Sequence, residues 1–236
     1  MSEIIFVRHG QASFGEKSYD KLSELGVNQV RHLASYWKGL GETFDQLYSG
    51  SLLRQKETAN ELIALTKGDS PGIQIDDSFN EYNGDSLIRI YLRDNADLQS
   101  SNSSVDMPIK DERLFQSIFE KATSKWIKNS LKPTSNDSDF ESWTSFKHRV
   151  YSGVDELMSK HTQGSRTLVS TSGGVIAMML QRVLNFPDEK VIETNWMVGN
   201  SSITRRRYGD GKISLTQFNS LPHLEQKGMT HLITYR

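Results

Sequence analysis

The tripeptide Arg8-His9-Gly10 closes the apolar run Ile4-Ile5-Phe6-Val7, and its three residue types suit one kind of chemistry. A neutral histidine ring nitrogen attacks phosphorus directly, a guanidinium holds phosphate oxygens through paired charge-assisted hydrogen bonds, and glycine permits close backbone approach. Position matters as much as type, because ligand sites in open α/β sheets lie outside the carboxyl ends of strands. Taken alone, the tripeptide fits a structural turn equally well. A second junction of the same kind, where Thr167-Leu168-Val169-Ser170-Thr171 runs into Ser172-Gly173-Gly174, favours the chemical reading, since the start of a helix there would direct backbone N–H groups at an anion.

The elements that must position these residues follow from periodicity. Ile4 to Val7 and Thr167 to Thr171 are continuous apolar or β-branched runs, the pattern of strands buried on both faces of a parallel sheet. Val27, Val30, Leu33, Ala34 and Trp37 recur at helical spacing after Leu22-Ser23-Glu24-Leu25-Gly26, with Gly39 and Gly41 at the end. Leu53, Ala59, Leu62, Ile63 and Leu65 repeat that spacing after a short strand around Phe44, Leu47 and Tyr48. The order β-α-β-α predicts an α/β fold, a mostly parallel sheet flanked by helices on both faces. Residues from about 86 to 145 differ in character. Polar stretches at 99–104 and 134–138 flank a helical pattern through Leu114, Ile118, Phe119, Ala122 and Trp126, which predicts a mainly helical cap inserted in a single domain spanning 1–236. A helix from Trp143 to His161 returns to the main body, and Tyr208-Gly209-Asp210-Gly211 signals a C-terminal hairpin.

Composition narrows the functions. The 236 residues carry 28 Lys plus Arg against 29 Asp plus Glu, a formal net charge of −1, so no overall field would hold the chain on nucleic acid or an anionic membrane, and an anion site must be local. With no cysteine, disulfides, thiolate nucleophiles and cysteine-based metal or iron–sulfur sites are excluded. The first apolar run follows no basic stretch and is interrupted by Arg8 and His9, unlike a signal peptide, and no stretch approaches the roughly 18 apolar residues of a membrane span. The expected location is cytoplasmic. His32, His148, His161, His223 and His231 lack the paired spacing of a zinc site and read as surface or cap residues. Arg205-Arg206-Arg207 reads as a solvated strand edge whose neighbours point to different faces. Trp37, Trp126, Trp143 and Trp196 read as packing residues.

Ser51-Leu52-Leu53-Arg54-Gln55-Lys56-Glu57-Thr58-Ala59 resembles the second arginine motif of the histidine phosphatase superfamily, the group that includes the cofactor-dependent phosphoglycerate mutases. Arg8-His9-Gly10 is similar to its signature loop. Leu22-Ser23-Glu24-Leu25-Gly26 with Gln29 resembles its Leu-Thr-x-x-Gly and Gln stretch, and Gly173-Gly174-Val175-Ile176 after a strand is similar to its last core motif. The motifs keep the family's order over most of the chain. This resemblance implies a phosphomonoester hydrolase of the phosphoglycerate mutase-like branch, without metal or cofactor, acting on a phosphorylated small molecule. By the same resemblance His9 is the nucleophile that becomes transiently phosphorylated, Arg8 and Arg54 grip the phosphoryl oxygens, and Glu81 protonates the leaving oxygen, with Asp85 the runner-up acid. Ser172 and Gly173 lie where the phosphoryl group is held.

Two departures stand out. The family has a second histidine just before the Gly-Gly of the last motif, where this chain has Ser172. A hydroxyl hydrogen-bonds phosphate but carries no positive charge, and losing one charge-assisted contact in the transition state costs on the order of 2 to 4 kcal/mol, roughly 30- to 1000-fold in rate. Three readings are open: a natural substitution in a branch that keeps hydrolase activity, with a helix N-terminus supplying part of the field; a phosphate-binding pseudoenzyme; or an engineered change. His223 stands as a remote candidate to fold back and replace the missing imidazole. Secondly, Phe14-Gly15 occupies the place of a Trp-Asn pair found in many mutases, which weighs against mutase activity, itself an alternative that shares the first chemical step.

Overall fold

The computed structural model describes residues 1–13, 20–95, 109, 111–161, 164–209 and 211–235. Its sheet contains β1 (Ser2–Arg8), β2 (Gln46–Ser49), β3 (Ile73–Ile75), β4 (Arg166–Thr171), β5 (Ile203–Gly209) and β6 (Lys212–Ser220) in the order β3-β2-β4-β1-β5-β6. The first four strands of that order run parallel to one another, whereas β5 and β6 are antiparallel. Helices α1 (Glu24–Gly39) and α2 (Leu53–Leu62) follow β1 and β2, while α6 (Gly173–Leu184) and α7 (Glu189–Met197) follow β4. The fold is α/β with a mostly parallel sheet, and β5 and β6 make the hairpin; Asp210, in the hairpin signal, lies outside the described residues.

Strand alternation explains why β1 reads as a continuous apolar run. Ile5 and Val7 are buried in one cluster with Val30, Leu33 and Trp37 of α1 and with Ala59 and Leu62 of α2. Ile4 and Phe6 must face the opposite side of the sheet. There the ring of Phe6 meets Phe79 at 6.5 Å, and Arg206, paired with Ile4 across β1 and β5, reaches Met179 of α6 and Met158 of α5 (Trp143–Lys160). Each face of β1 is therefore covered by helices.

The chain forms two compact units, residues 1–81 with 149–236, and residues 82–148. The second holds α3 (Gly84–Asp94), α4 (Glu112–Ile127) and the first residues of α5. An aromatic cluster forms its core, with ring centroids of Tyr82 and Trp126 4.7 Å apart and those of Trp126 and Trp143 4.9 Å apart. The carboxylate of Asp137 accepts from Thr134 N and from Arg93 Nη1 at 2.7 and 2.8 Å. These bonds hold its pKa down at about 2. The spacing of Leu114 to Trp126 emerges as α4. Helix α3, capped by Asn83 through Asp85 N and Ser86 N, has no counterpart in the sequence reading, and the polar stretch 99–104 lies outside the described residues.

The reading of Arg205-Arg206-Arg207 as a solvated edge is corrected. Strand β5 is interior, between β1 and β6, so alternation buries the middle arginine instead of exposing it. Arg206 is 0% exposed, with Nη1 2.8 Å from Met179 Sδ, and its Nε has no hydrogen-bond partner. Among the described residues no carboxylate lies at ion-pair distance from it. Burial, followed by the nearby charge of Arg182, lowers its pKa to about 10, which leaves a desolvated cation at neutral pH. Replacing buried ionic groups by well-packed apolar side chains of similar volume removes their desolvation penalty and is often neutral or stabilising. Arg206→Met is expected to raise stability by about 1 to 3 kcal/mol, a Tm increase of several degrees in a chain of this size. An unchanged or lower Tm in thermal unfolding would show that the guanidinium is compensated.

Candidate active site

The carboxyl ends of β1 and β4 lie side by side because Arg8 pairs with Thr171 in parallel register. The next residues on each strand are His9 and Ser172, and His9 N donates to Thr171 O at 2.8 Å. This register brings the two strand ends together.

His9 is 5% exposed, and both ring nitrogens are engaged. Nδ1 lies 2.7 Å from Gly10 O, and Nε2 lies 3.0 Å from Arg54 Nε. A carbonyl only accepts and a guanidinium only donates, so the partners assign the tautomer: Nδ1 carries the proton and Nε2 presents its lone pair. Burial and the charges of Arg54 and Arg8 push the His9 pKa well below its usual value, against the opposing bond to Gly10. The imidazole is therefore neutral at physiological pH, as a nitrogen nucleophile must be.

The loop after His9 is shaped by close backbone packing. A Cβ on Gly10 would stand 2.3 Å from Gly26 O, and one on Gly26 would stand 2.1 Å from Gln11 O. Glycine at position 10 thus serves contact with the start of α1, a structural need separate from approach to a ligand. The Leu22 to Gly26 segment and Gln29 hold the same loop. Ser23 caps α1 through Gly26 N and donates to Gln11 O, while Gln29 Oε1 accepts from Gln11 N at 2.9 Å. Gln29 Nε2 then donates to Leu232 O and Thr234 Oγ1. From the other side, His9 O accepts from Asn200 Nδ2 and Ser201 N.

Arg54 projects from the first turn of α2, where its Nη1 donates to Asp20 and its Nε faces His9. Thr58, one turn on, accepts from Gly10 N and donates to Arg54 O. Arg8 is the last residue of β1. Its Nη1 donates to the carbonyls of Val198 and Tyr235, the latter at 3.0 Å, so that this nitrogen anchors the chain's last described residues, although the Arg8 charge still acts on His9.

Ser172 is the N-cap residue of α6 and is fully buried. Its Oγ accepts from Gln55 Nε2 at 2.8 Å, and Gln55 Nε2 also donates to Phe79 O at 2.9 Å. Two acceptors at that nitrogen, with Leu52 N donating to Oε1, fix the orientation of the amide. Because Gln55 occupies a lone pair of Ser172, the serine hydroxyl keeps its own hydrogen to donate elsewhere. A Cβ on Gly173 would stand 2.2 Å from Asn195 Oδ1, so a side chain there would displace that amide. Glu81 Oε2 accepts from Gly174 N at 2.9 Å, placing the carboxylate at the start of α6, where the helix dipole favours negative charge. Arg149 Nη1 donates to the carbonyls of Asp77, Ser78 and Asn80, bracing the segment that leads to Glu81. Asp85 belongs to the other unit, exposed in the first turn of α3. Phe14 and Gly15 lie outside the described residues.

Residues 4–90 and 110–221 match the family described as the histidine phosphatase superfamily, branch 1. The chain belongs to that family. Its solved relatives share the fold at low identity. A phosphoserine phosphatase mutant from Entamoeba histolytica, in complex with phosphoserine, is 20% identical with a TM-score of 0.63, covering 95% of this chain and 100% of its own. Phosphoglycerate mutase from Bacillus anthracis is 18% identical with a TM-score of 0.61, covering 94% of each chain. A mycobacterial glucosyl-3-phosphoglycerate phosphatase, in complex with inorganic phosphate, is 18% identical with a TM-score of 0.61, covering 94% of this chain and 99% of its own. No curated protein sequence matches the chain. No helix among the described residues is long and apolar enough to cross a membrane.

Several residues of this histidine phosphatase site escaped the sequence reading. Gln55 and Thr58 lie inside the Arg54 motif, at the next position and one helical turn on, and were open to inspection there. Asp20 lies two residues before Leu22, with no periodic pattern to mark it. Asn200 and Ser201 sit in a turn before β5, and Ser201 adopts a left-handed φ of 58°. Of the histidines read as surface or cap residues, His148 and His231 are exposed and His223 needs correction. His223 is 1% exposed, with Nε2 2.8 Å from Ser201 Oγ, so its ring supports the turn behind His9 and does not stand in for an imidazole at position 172. His161 Nε2 lies 2.9 Å from Tyr48 Oη.

Burial and, after it, the charge of His32 lower the His223 pKa from 6.5 to about 4. The unfolded chain then binds a proton near pH 6.5 that the folded chain refuses until about pH 4, so stability falls as pH drops through that window. The contribution is on the order of 3 kcal/mol. In urea unfolding at pH 7 and 4.5, His223→Gln is expected to lose less stability on acidification than the parent. Equal losses would show that His223 does not titrate in this range.

Proposed function

We propose that the protein is a metal-independent phosphatase that hydrolyses a phosphorylated small molecule through a phosphohistidine on His9. The observation that carries this reading is the buried neutral imidazole, protonated at Nδ1 by its bond to Gly10 O and aiming the lone pair of Nε2 at the Arg54 guanidinium. A phosphoryl group entering between them would meet a nucleophile and a cation on one line. Solved relatives bound to phosphoserine and to inorganic phosphate support a phosphorylated metabolite as the ligand class.

In the first step Nε2 attacks phosphorus and the bond to the leaving oxygen breaks. Arg54 Nε–H transfers its hydrogen bond from Nε2 to a phosphoryl oxygen, and the positive charge that develops on the ring is stabilised by the Nδ1–H bond to Gly10 O. Arg8 adds positive charge nearby, and the Ser172 hydroxyl donates to another oxygen. Glu81, whose carboxylate takes up a solvent proton when the negatively charged substrate enters beside it, gives that proton to the leaving oxygen. In the second step water attacks phosphorus, the N–P bond returns its electron pair to Nε2, and Glu81 takes the proton from water. Inorganic phosphate leaves, with enzyme and protons restored.

A second reading, a noncatalytic protein that binds a phosphorylated ligand, is favoured by one observation: Ser172 supplies a neutral donor where the family places an imidazole. Release of p-nitrophenol from p-nitrophenyl phosphate separates the two. His9→Ala is expected to lower turnover by roughly a thousandfold or more. Because His9 titrates well below its usual pKa, kcat/KM should not fall between pH 7 and 6 through protonation of the nucleophile. Vanadate is expected to raise the Tm under either reading. Stabilisation without His9-dependent turnover would establish the binding protein.

Gln55 orients Ser172, so the two should act as a unit. Ser172→Ala and Gln55→Leu are each expected to lower kcat/KM by about tenfold or more, and the double variant should lose little beyond either. Fully additive losses would show that Gln55 does not work through Ser172.

A further inference from the structure

We propose that Asp20 is a positioning residue that turns the side edge of the Arg54 guanidinium toward His9 by anchoring its outer nitrogen to the start of α2. This inference rests on the phosphohistidine reading of the site and adds a member to it.

The two oxygens of Asp20 have separate tasks. Oδ2 accepts from Leu53 N at 2.7 Å and Oδ1 from Arg54 Nη1 at 2.5 Å. Helix α2 needs the first of these bonds, because its N-cap residue is Leu52, which has no side-chain oxygen, and the first N–H groups of a helix have no partner within it. Asp20 therefore caps α2 from another segment. The second bond reaches the guanidinium one residue further on, so a single carboxylate ties the arginine to the helix that carries it.

The choice of nitrogen decides what this tie does. A guanidinium is a rigid plane in which Nε–H and one N–H of Nη2 point along the same edge, the two-donor edge that matches paired phosphate oxygens. Nη1 lies outside that edge. Asp20 takes Nη1, and Nε faces His9 Nε2 at 3.0 Å. With donors on two sides of the plane engaged, its rotation is fixed and the Nε and Nη2 edge faces the nucleophile. A carboxylate on that edge itself would compete with phosphate, whereas one on Nη1 aims the edge. The Arg54 side chain is 13% exposed against 42% for Asp20, so the anchor stands at the solvent side of the arginine it holds.

Asp20→Asn separates capping from aiming. The amide oxygen still accepts from Leu53 N, but its NH2 group opposes Arg54 Nη1, whereas Asp20→Ala loses both bonds. Asp20→Asn is expected to keep the parent Tm within about 2 °C and to lower kcat/KM for p-nitrophenyl phosphate by about 10- to 100-fold. Asp20→Glu is expected to restore part of the loss. Independently of turnover, the His9 imidazole resonances should titrate at higher pH in Asp20→Asn, because losing the Arg54 charge at Nε2 outweighs losing the negative charge of a carboxylate that is more exposed and bound on the other side of the guanidinium. A shifted His9 titration in a protein whose parent shows no His9-dependent turnover would uphold the positioning role and reject the phosphatase reading. Normal turnover and an unshifted titration in Asp20→Asn would overturn the positioning role and leave the phosphatase reading intact. Losses in Asp20→Ala alone, with a lowered Tm, would reduce Asp20 to a helix cap.

Discussion

The site depends on one hydrogen bond, from His9 Nδ1 to the carbonyl of Gly10. A histidine buried beside two arginines is forced to be neutral, yet neutrality alone does not say which nitrogen keeps the proton. The Gly10 carbonyl settles that, and it does so only because the Gly10 backbone is pressed against Gly26 at a distance no Cβ would permit. The Ser23 cap and the Gln29 amide then hold Gln11, the next residue of the loop. Sheet register, helix capping and side-chain amides thus converge on the direction of a single lone pair.

Exchanging an imidazole for Ser172 changes the character of this site more than its shape. Under the phosphatase reading, charge toward the phosphoryl group comes from arginines, while the last junction supplies a hydroxyl backed by a glutamine amide, and the Gly174 N–H at its helix start already serves Glu81. Neutral donors held in a dry, fixed arrangement retain much of their value toward a developing anion, since they need no reorganisation when it forms. They do not change protonation state near neutral pH, and the buried His9 stays neutral there as well.

The frame of the molecule was legible in the sequence because it obeys periodicities. Strands β1 and β4 are buried on both faces, β1 reads as an unbroken apolar run and β4 as a short run rich in β-branched residues, and α1 shows a clean stripe through Val30, Leu33 and Trp37. The strand ends at residues 8–10 and 172–174 were legible because glycine follows each strand closely, and at Gly10 it answers to a steric need. What remained hidden is what depends on long-range pairing. Nothing in Arg205-Arg206-Arg207 says that β5 will be an interior strand, so a charge that alternation buries looked like one that water would cover. Asp20, His223 and Asn200 act through partners tens to hundreds of positions away, and a single chain carries no local mark of such partners. Arg8 is the instructive middle case, since its place was legible but its attachment to the Val198 and Tyr235 carbonyls was not.

That attachment belongs to a wider feature, the return of the chain's last described residues to its first strand. Strand β1 has no sheet neighbour until β4 and β5 exist, more than 150 residues later, and the loop beyond it is tied through Gln29 and Asn200 to residues 232–234. During synthesis the segment Ile4 to Val7 must therefore leave the ribosome as an unpaired apolar strand and wait for almost the whole polypeptide. At the roughly 5 to 20 residues per second typical of translation, that wait lasts on the order of ten seconds or more. The same long-range closure that holds His9 between its hydrogen-bond partners in the finished protein leaves its strand exposed to misassembly throughout its birth.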